Sequence, residues 1–158
     1  MGFALSDLEL KSSAFTHNGP IPRKHTGEGE NVSPQLSWSR LPDNTKSLAL
    51  ICHDPDAPLV SPGTYGFVHW VLYNIPATVA ELPEGVSGYT SGKNDYGVTV
   101  YKGPNPPPGH GVHHYYFWLL ALDKELDLPE GLTMWQLLER IEPHVIGMNR
   151  LVGTYQRG

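Results

Sequence analysis

Glycine and proline recur along the whole chain, and this pattern limits the fold more than any other feature of the sequence. The 158 residues include 17 glycines and 15 prolines, which are not gathered into one linker. Because both residues mark turns, their spread predicts many short connections, as in a β-sandwich. We therefore predict one compact domain over residues 1–158, a length that buries roughly 70% of the surface exposed by the unfolded chain.

Three segments predict strands because β-branched or aromatic residues in them are bounded by turn signals. These segments are residues 46–52, 67–75 and 113–123. Shorter strands are predicted at 3–10, 98–101 and 151–155. The continuous apolar run YYFWLLAL is typical of a strand that is covered on both faces, in the middle of a packed sheet.

A helix is indicated only near the end of the sequence. Thr133 and Gln136 have the spacing of a capping box, just ahead of Leu137, Leu138 and Ile141. Pro143 is expected to kink or end this helix. The pattern thus predicts a mostly β fold with one C-terminal helix.

Charge and composition exclude several classes of function. The formal net charge is -5, and the 11 lysines and arginines form no basic stripe, so nucleic acids and anionic membrane surfaces are not expected partners. No apolar run approaches the roughly 20 residues that span a bilayer, and the start lacks the features of a signal peptide, so we expect no transmembrane segment and a cytoplasmic location. Cys52, the single cysteine, excludes an internal disulfide.

The stretch HDPDAP, residues 53–58, places a histidine, two aspartates and two prolines directly after the apolar run SLALIC. The prolines restrict the backbone on either side and so fix the directions of the carboxylates. Taken alone, Asp54 and Asp56 are also typical of a turn that is closed by side-chain hydrogen bonds. The stretch by itself leaves a turn, a binding site and a metal site open.

Alternation along the strands indicates which polar side chains could meet. A period of two puts His69 on one face with Val71 and Tyr73, and it puts His113 on one face with Tyr115. Both histidines stand at the entry end of their strands, whereas HDPDAP stands at an exit end. Since antiparallel pairing brings strand exits beside strand entries, these groups are predicted to surround one pocket.

Three ordered motifs resemble a known family. DPDAP, the HW that follows eleven residues later in FVHWVLYNIP, and GPNPPPGHGVHHYYF resemble the two signature segments of the phosphatidylethanolamine-binding protein family. The segments ENVSPQLSW, TKSLALICHDPDAP and HVIGMNRLVGTYQR are similar to its bacterial and archaeal Raf-kinase-inhibitor-like branch. The resemblance extends from about Ser13 to the C-terminus.

The resemblance implies an antiparallel β-sandwich with peripheral helices and a shallow pocket for phosphate, acetate or a phospholipid head group. Carried over by position, the implied ligand-binding residues are Asp54, Asp56, His69, Asn105, Pro106, Pro107, His113 and Tyr115. No cofactor is implied, and a homodimer fits the bacterial branch. The chain departs from the family pattern at His114, where a more basic residue is common, at Pro108, where a lysine is frequent, and at His110.

A non-catalytic, regulatory binding protein for a small anion is therefore our first hypothesis. An inhibitor that docks on a kinase or a protease is the alternative. A metal-dependent phosphoester hydrolase is the third, since the following residues are of metal-ligand types: His53, Asp54, Asp56, His69 and His113. The chain has no G-x-S-x-G elbow, Walker loop or H-E-x-x-H helix.

The binding hypothesis carries an electrostatic expectation, because two carboxylates and a phosphate in one cavity repel each other. Nearby histidines could compensate, since a carboxylate within about 4–6 Å favours the imidazolium form. We accordingly expect phosphate to bind more tightly below about pH 6.5, as His69 and His113 become charged.

Overall fold

The computed structural model describes residues 5–57 and 66–157. Its longest strands are Ser47–Asp54 and Phe67–Pro76, which follow each other in sequence, and His113–Leu122 and Val145–Tyr155, which flank the one α-helix of the described residues. The strands are β1 Glu9–Lys11, β2 Gly19–Pro20, β3 Leu36–Ser39, β4 Ser47–Asp54, β5 Phe67–Pro76, β6 Glu81–Leu82, β7 Thr90–Ser91, β8 His113–Leu122 and β9 Val145–Tyr155. The helix α1 is Met134–Ile141, and 3-10 turns lie at Arg23–His25 and Glu142–His144. The predicted mostly β fold is confirmed.

The strands form two sheets. The larger sheet has six strands in the order β2-β9-β8-β4-β5-β7, and the smaller has three in the order β1-β3-β6. The pairings between these strands are antiparallel except that of β2 with β9, which is parallel. Strand β4 therefore lies inside the larger sheet with β5 and β8 as its neighbours, and the predicted antiparallel sandwich is confirmed.

The main core fills the space between the two sheets. Alternate residues of β4, β5 and β8 point inward and meet apolar residues of the smaller sheet. Members of this core are Leu10, Leu36, Trp38, Leu48, Leu50, Cys52, Trp70, Leu72, Phe117 and Leu119. Of the outward-facing residues of YYFWLLAL, Leu120 and Leu122 are buried in a second cluster, whereas Tyr116 and Trp118 are half-buried. The predicted cover on both faces is therefore complete only in the second half of this run.

Helix α1 covers the outer face of the larger sheet. Its residues Met134, Leu137 and Ile141 are buried in the second cluster. The predicted capping box is present: Gln136 N donates to Thr133 Oγ1 at 3.2 Å, and Thr133 N donates to Gln136 Oε1 at 3.0 Å. The helix ends at Ile141, immediately before the 3-10 turn that contains Pro143, as predicted.

Three of the shorter predicted strands differ from the structure. The strand predicted at 98–101 is wrong, because those residues form no strand and wrap around the side chain of Asn94. Asn94 Oδ1 accepts from Tyr96 N at 2.9 Å, and Asn94 Nδ2 donates to Val100 O at 2.7 Å. Of the strand predicted at 3–10, residues 3 and 4 lie outside the described residues, and only the end of the rest belongs to a strand, β1. The strand predicted at 151–155 is the end of the longer β9.

Candidate functional site

A small cavity lies at the end of the larger sheet where β4 ends and where β5 and β8 begin. Its volume is about 170 Å³. The described residues that line it are Asp54, Ala57, Phe67, His69, Tyr96, Asn105, Pro106, Pro107, His113 and Tyr115. Since pockets for drug-sized ligands measure about 300–1,000 Å³, this cavity suits a ligand of only a few heavy atoms.

A buried carboxylate–imidazole pair forms the floor of the site. Asp54 continues the inward row of Cys52 along β4, and antiparallel pairing brings the end of β4 beside the start of β8. His113 Nδ1 donates to Asp54 Oδ2 at 2.6 Å, and Asp56 N donates to Asp54 Oδ1 at 2.8 Å. Both oxygens of Asp54 are therefore engaged, and His113 is left with Nε2 for a ligand.

Burial and hydrogen bonding act on this carboxyl group in opposite directions. Asp54 is 2% exposed and His113 is 3% exposed. Burial raises the pKa of Asp54 above its ordinary value, and the hydrogen bond from His113 opposes that rise. The pairing thus compensates in part for the cost of placing a carboxylate in the interior.

A β-bulge turns His69 toward this pair. Cys52 pairs with Trp70 and His53 pairs with Val68, so His69 is an extra residue in β5. The period-two prediction that His69 shares a face with Val71 and Tyr73 is wrong. Those two residues pack in the outer cluster, as does Val68, whereas His69 lines the cavity.

The surroundings of His69 keep its side chain neutral. His69 is 4% exposed, and its Nδ1 donates to Lys102 O at 2.7 Å. Burial lowers its pKa from 6.5 to about 4, and the positive charges of His53 and His113 act in the same direction. The expectation that His69 becomes charged just below pH 6.5 is therefore wrong.

Tyr115 adds a hydroxyl group to the cavity. The residue is 1% exposed, and its ring meets the ring of His69 edge-on with centroids 5.3 Å apart. Burial raises the pKa of the hydroxyl, which therefore keeps its proton, and the negative charge of Asp54 adds to this rise. In the described residues no hydrogen bond from this hydroxyl is present, so its proton is available to a ligand.

The loop between residues 102 and 112 closes one side of the cavity with Asn105, Pro106 and Pro107. Glycines allow this loop to approach closely: a Cβ on Gly27 would lie 2.8 Å from Asn105 Cγ, and one on Gly103 would overlap the carbonyl oxygen of His25. Gly103 N also donates to Asn31 Oδ1 at 2.7 Å, and so the loop is held against residues 25–31.

Two aromatic residues of the lining, Phe67 and Tyr96, were missed by sequence reasoning. Their rings meet edge-on with centroids 4.7 Å apart, and Phe67 also lies 5.0 Å from the ring of His69. Phe67 stands two residues before His69, and this spacing indicates that the two side chains share a face of β5. Tyr96 lies in the turn after Asn94, and the only local signal is the sequence NDYG, in which Gly97 has a φ of +82°.

Asp56 and His114 stand outside the cavity lining, although Asp56 was among the expected ligand-binding residues. Asp56 Oδ2 accepts from both His114 N and His114 Nδ1, each at 2.7 Å. This pair is exposed, and it ties the end of HDPDAP to the start of β8. The structure therefore brings together the other expected site residues and leaves Asp56 at the rim.

The lining has little positive charge. No lysine or arginine side chain is present among the described residues that line the cavity. Arg157 is nearby, where its Nη1 donates to Asn105 Oδ1 at 3.4 Å and its Nε lies 3.6 Å from Glu28 Oε2. An anion in this cavity would thus meet hydroxyl and imidazole groups first.

Residues 5–57 and 66–157, which the structure describes, contain neither a cluster of metal ligands nor a membrane-spanning helix. No group of three or more histidine, cysteine, aspartate or glutamate residues there is arranged to hold a metal ion. No helix in the same part of the chain has the length and apolar character that crossing a membrane requires.

Comparisons with known proteins agree with the geometry of the fold. The family model for phosphatidylethanolamine-binding protein matches residues 11–156. A UPF0098 protein of Methanothermobacter thermautotrophicus is 46% identical over 158 residues, which cover 96% of this chain and all of the relative. A crystal structure of a phosphatidylethanolamine-binding protein homologue from Chlamydia trachomatis is 39% identical with a TM-score of 0.89, covering 96% of this chain and 98% of that one.

A more distant structure shares the fold. It is that of a carboxypeptidase Y inhibitor in complex with its cognate proteinase, at 19% identity and a TM-score of 0.59. The match covers 99% of this chain and 84% of the inhibitor.

Proposed function

This chain belongs to the phosphatidylethanolamine-binding protein family, and we propose that it is a non-catalytic binding protein whose cavity holds a small oxyanion such as phosphate. The observation that carries the proposal is the convergence of the Asp54–His113 pair with the Tyr115 hydroxyl in one cavity of about 170 Å³. A phosphate or acetate group fits this volume. The protein would then have a regulatory role that depends on whether a ligand fills the cavity.

Each lining group has a distinct part in this proposal. The Tyr115 hydroxyl donates to the anion, and His113 Nε2 donates when the imidazole is charged. Asp54 is a positioning residue, because both of its oxygens are engaged by protein groups and it holds His113 through Nδ1. The rigid Pro106–Pro107 backbone and the rings of Phe67 and Tyr96 exclude water from the bound group.

Removing the Tyr115 hydroxyl tests the proposal with little disturbance of the fold. Tyr115→Phe should weaken the binding of inorganic phosphate at least tenfold in titration calorimetry at pH 6, because a hydrogen bond to a charged group is lost. Tyr116→Phe is the matched control, since Tyr116 is the next residue of β8 and stacks on Trp118 outside the lining. Phosphate binding that is equal in the wild type and both variants would contradict the proposal, as would its absence from all three.

Docking on a protease is the second candidate, and the shared fold with the carboxypeptidase Y inhibitor is the observation that favours it. The same variants help to separate the two functions. If a captured protease is bound equally by the wild type and by an Asp54→Asn, His69→Ala double variant, docking does not use the cavity. If the double variant is folded, as judged by circular dichroism, and loses the protease, docking depends on the site.

A further inference from the structure

We infer, on the basis of the proposed binding function, that the cavity selects an oxyanion that carries its own proton, and that His69 makes this selection through Nε2. The favoured ligands are then dihydrogen phosphate and the singly protonated, singly charged forms of phosphate monoesters. Sulfate and phosphate diesters, a class that includes lipid head groups, are disfavoured because they have no proton to donate.

The hydrogen bond at Nδ1 determines the form of the His69 ring. A backbone carbonyl only accepts hydrogen bonds, and Lys102 O lies 2.7 Å from His69 Nδ1, so Nδ1 carries the hydrogen. A neutral imidazole has a single N–H group, and Nε2 is therefore an acceptor. Among the described residues the geometric hydrogen bond of the His69 ring is that from Nδ1 to Lys102 O, and His69 lines the cavity, so Nε2 is the ring nitrogen left for a ligand.

The neighbours of His69 maintain this neutral form. Burial lowers the pKa of His69 to about 4, and His53 of β4 and His113 of β8 add to this shift when they are charged. The backbone groups of Lys102 and Gly103 oppose the shift without reversing it. The hydroxyl groups of Tyr96 and Tyr115 also face this region and are themselves held protonated by burial. Asp54, the nearest carboxylate in the lining, is engaged by His113.

The charge of the lining points to the same class of ligand. The described lining has no lysine or arginine, and the Asp54 carboxylate offsets the charge of a protonated His113. A dianion would therefore enter a site without a surplus of positive charge, whereas a monoanion is better matched. A protonated phosphate group satisfies both conditions, because its P–OH donates to His69 Nε2 while its other oxygens accept from Tyr115 and His113.

Methyl phosphate and methyl sulfate form a matched pair of probes for this selection. At pH 6 about half of the methyl phosphate is the protonated monoanion, since its second pKa is about 6. Methyl sulfate has nearly the same shape and a single negative charge but no proton. Titration calorimetry at pH 6 should give an affinity for methyl phosphate at least tenfold above that for methyl sulfate. Dimethyl phosphate, which represents diester head groups, should bind as weakly as methyl sulfate.

His69→Gln tests whether His69 is responsible. A glutamine amide can turn either its oxygen or its N–H group toward a ligand, so it accepts from methyl phosphate and donates to methyl sulfate, and the affinity ratio of methyl phosphate to methyl sulfate should fall below threefold. His114→Gln is the matched control, because it makes the same change at an exposed histidine outside the lining. This control should keep the ratio of the wild type.

The outcomes separate the selection from the binding function. If the wild type binds both methyl esters within threefold of each other, the inference is overturned while anion binding stands. If it binds neither ester nor inorganic phosphate, the proposed function fails and the inference fails with it. If His69→Gln does not fold, the comparison of methyl phosphate with methyl sulfate in the wild type still decides whether the cavity prefers a protonated anion. If His69→Gln folds and keeps the affinity ratio of the wild type, the role of His69 is overturned.

Discussion

Two carboxylate–histidine pairs stand side by side at the junction of β4 and β8, and they have nearly the same geometry. The Nδ1–Oδ2 distances are 2.6 Å in Asp54–His113 and 2.7 Å in Asp56–His114. Their surroundings differ: the side chains of the first pair are 3% and 4% exposed, and those of the second are 41% and 46% exposed. Alternation along β8 causes this difference, because consecutive residues point to opposite sides of the sheet.

The comparison shows that hydrogen-bond geometry alone does not determine what an ion pair contributes. In the exposed pair, water solvates both partners and screens their attraction, so little is lost when one partner is removed. In the buried pair, removing one partner leaves the other without compensation in a poorly solvated place. The buried pair is also the one that faces the cavity, and so stability and ligand binding depend on the same two side chains.

The largest expected effect follows from breaking the buried pair. Asp54→Asn should lower the free energy of unfolding by about 3 kcal/mol, because breaking a buried ion pair costs about 3–5 kcal/mol and the amide retains part of the hydrogen bonding. Urea denaturation at pH 7 measures this loss. A loss below about 1 kcal/mol would mean that the buried pair behaves like an exposed one.

An effect of similar size concerns pH and distinguishes His69, beside the buried pair, from His114 in the exposed pair. The folded-state pKa of His69 is about 4, below its ordinary value of 6.5, so the unfolded chain binds the extra proton first. The stabilisation that comes from keeping His69 neutral is thus complete above pH 6.5 and is lost as the pH falls toward 4. The loss amounts to about 3 kcal/mol over this window.

This pH effect is measured by urea denaturation of the wild type and two variants between pH 4 and 7. The wild type should lose its stability advantage over His69→Gln as the pH falls from 6.5 to 4. The free energy of unfolding of His114→Gln should instead change with pH in the same way as that of the wild type. Parallel slopes for the wild type and His69→Gln would show that His69 is not held neutral by the fold.

The smallest expected effect belongs to the exposed pair. Asp56→Asn should change the free energy of unfolding by about 0.2–1 kcal/mol, and the change should shrink as salt is added, because exposed pairs are screened. Denaturation at low and high sodium chloride concentrations measures both quantities. A loss of unfolding free energy that does not depend on salt and is close to that of Asp54→Asn would show that the two pairs contribute to stability in the same way.

The sequence predicted the features that depend on local patterns. Runs of β-branched and aromatic residues located β4, β5 and β8, and the spacing of Thr133 and Gln136 located the start of α1, because each pattern is a direct consequence of backbone geometry. The family motifs in turn indicated most of the residues that line the cavity, although they missed Phe67 and Tyr96 and included Asp56. Whether those residues bind a ligand stays a prediction.

The features that the sequence did not predict depend on contacts between distant segments. The bulge at His69 is a feature of the pairing between β5 and β4. The sequence of β5 alone, read with a period of two, does not indicate it. The apolar alternation after Asn94 resembles a strand, but the buried Asn94 side chain satisfies the backbone there and bends the chain. Tyr96 enters the cavity as a result of that bend.

The position of β4 inside the larger sheet has a consequence for local unfolding. Asp54 ends a strand that is hydrogen-bonded to β5 on one side and to β8 on the other, so the floor of the cavity belongs to a slowly exchanging unit of the protein. Amide protons of β4 should exchange with solvent only through openings close to global unfolding. Thermal loss of the binding site should accordingly coincide with melting of the whole sheet, with no earlier step in which the site opens alone.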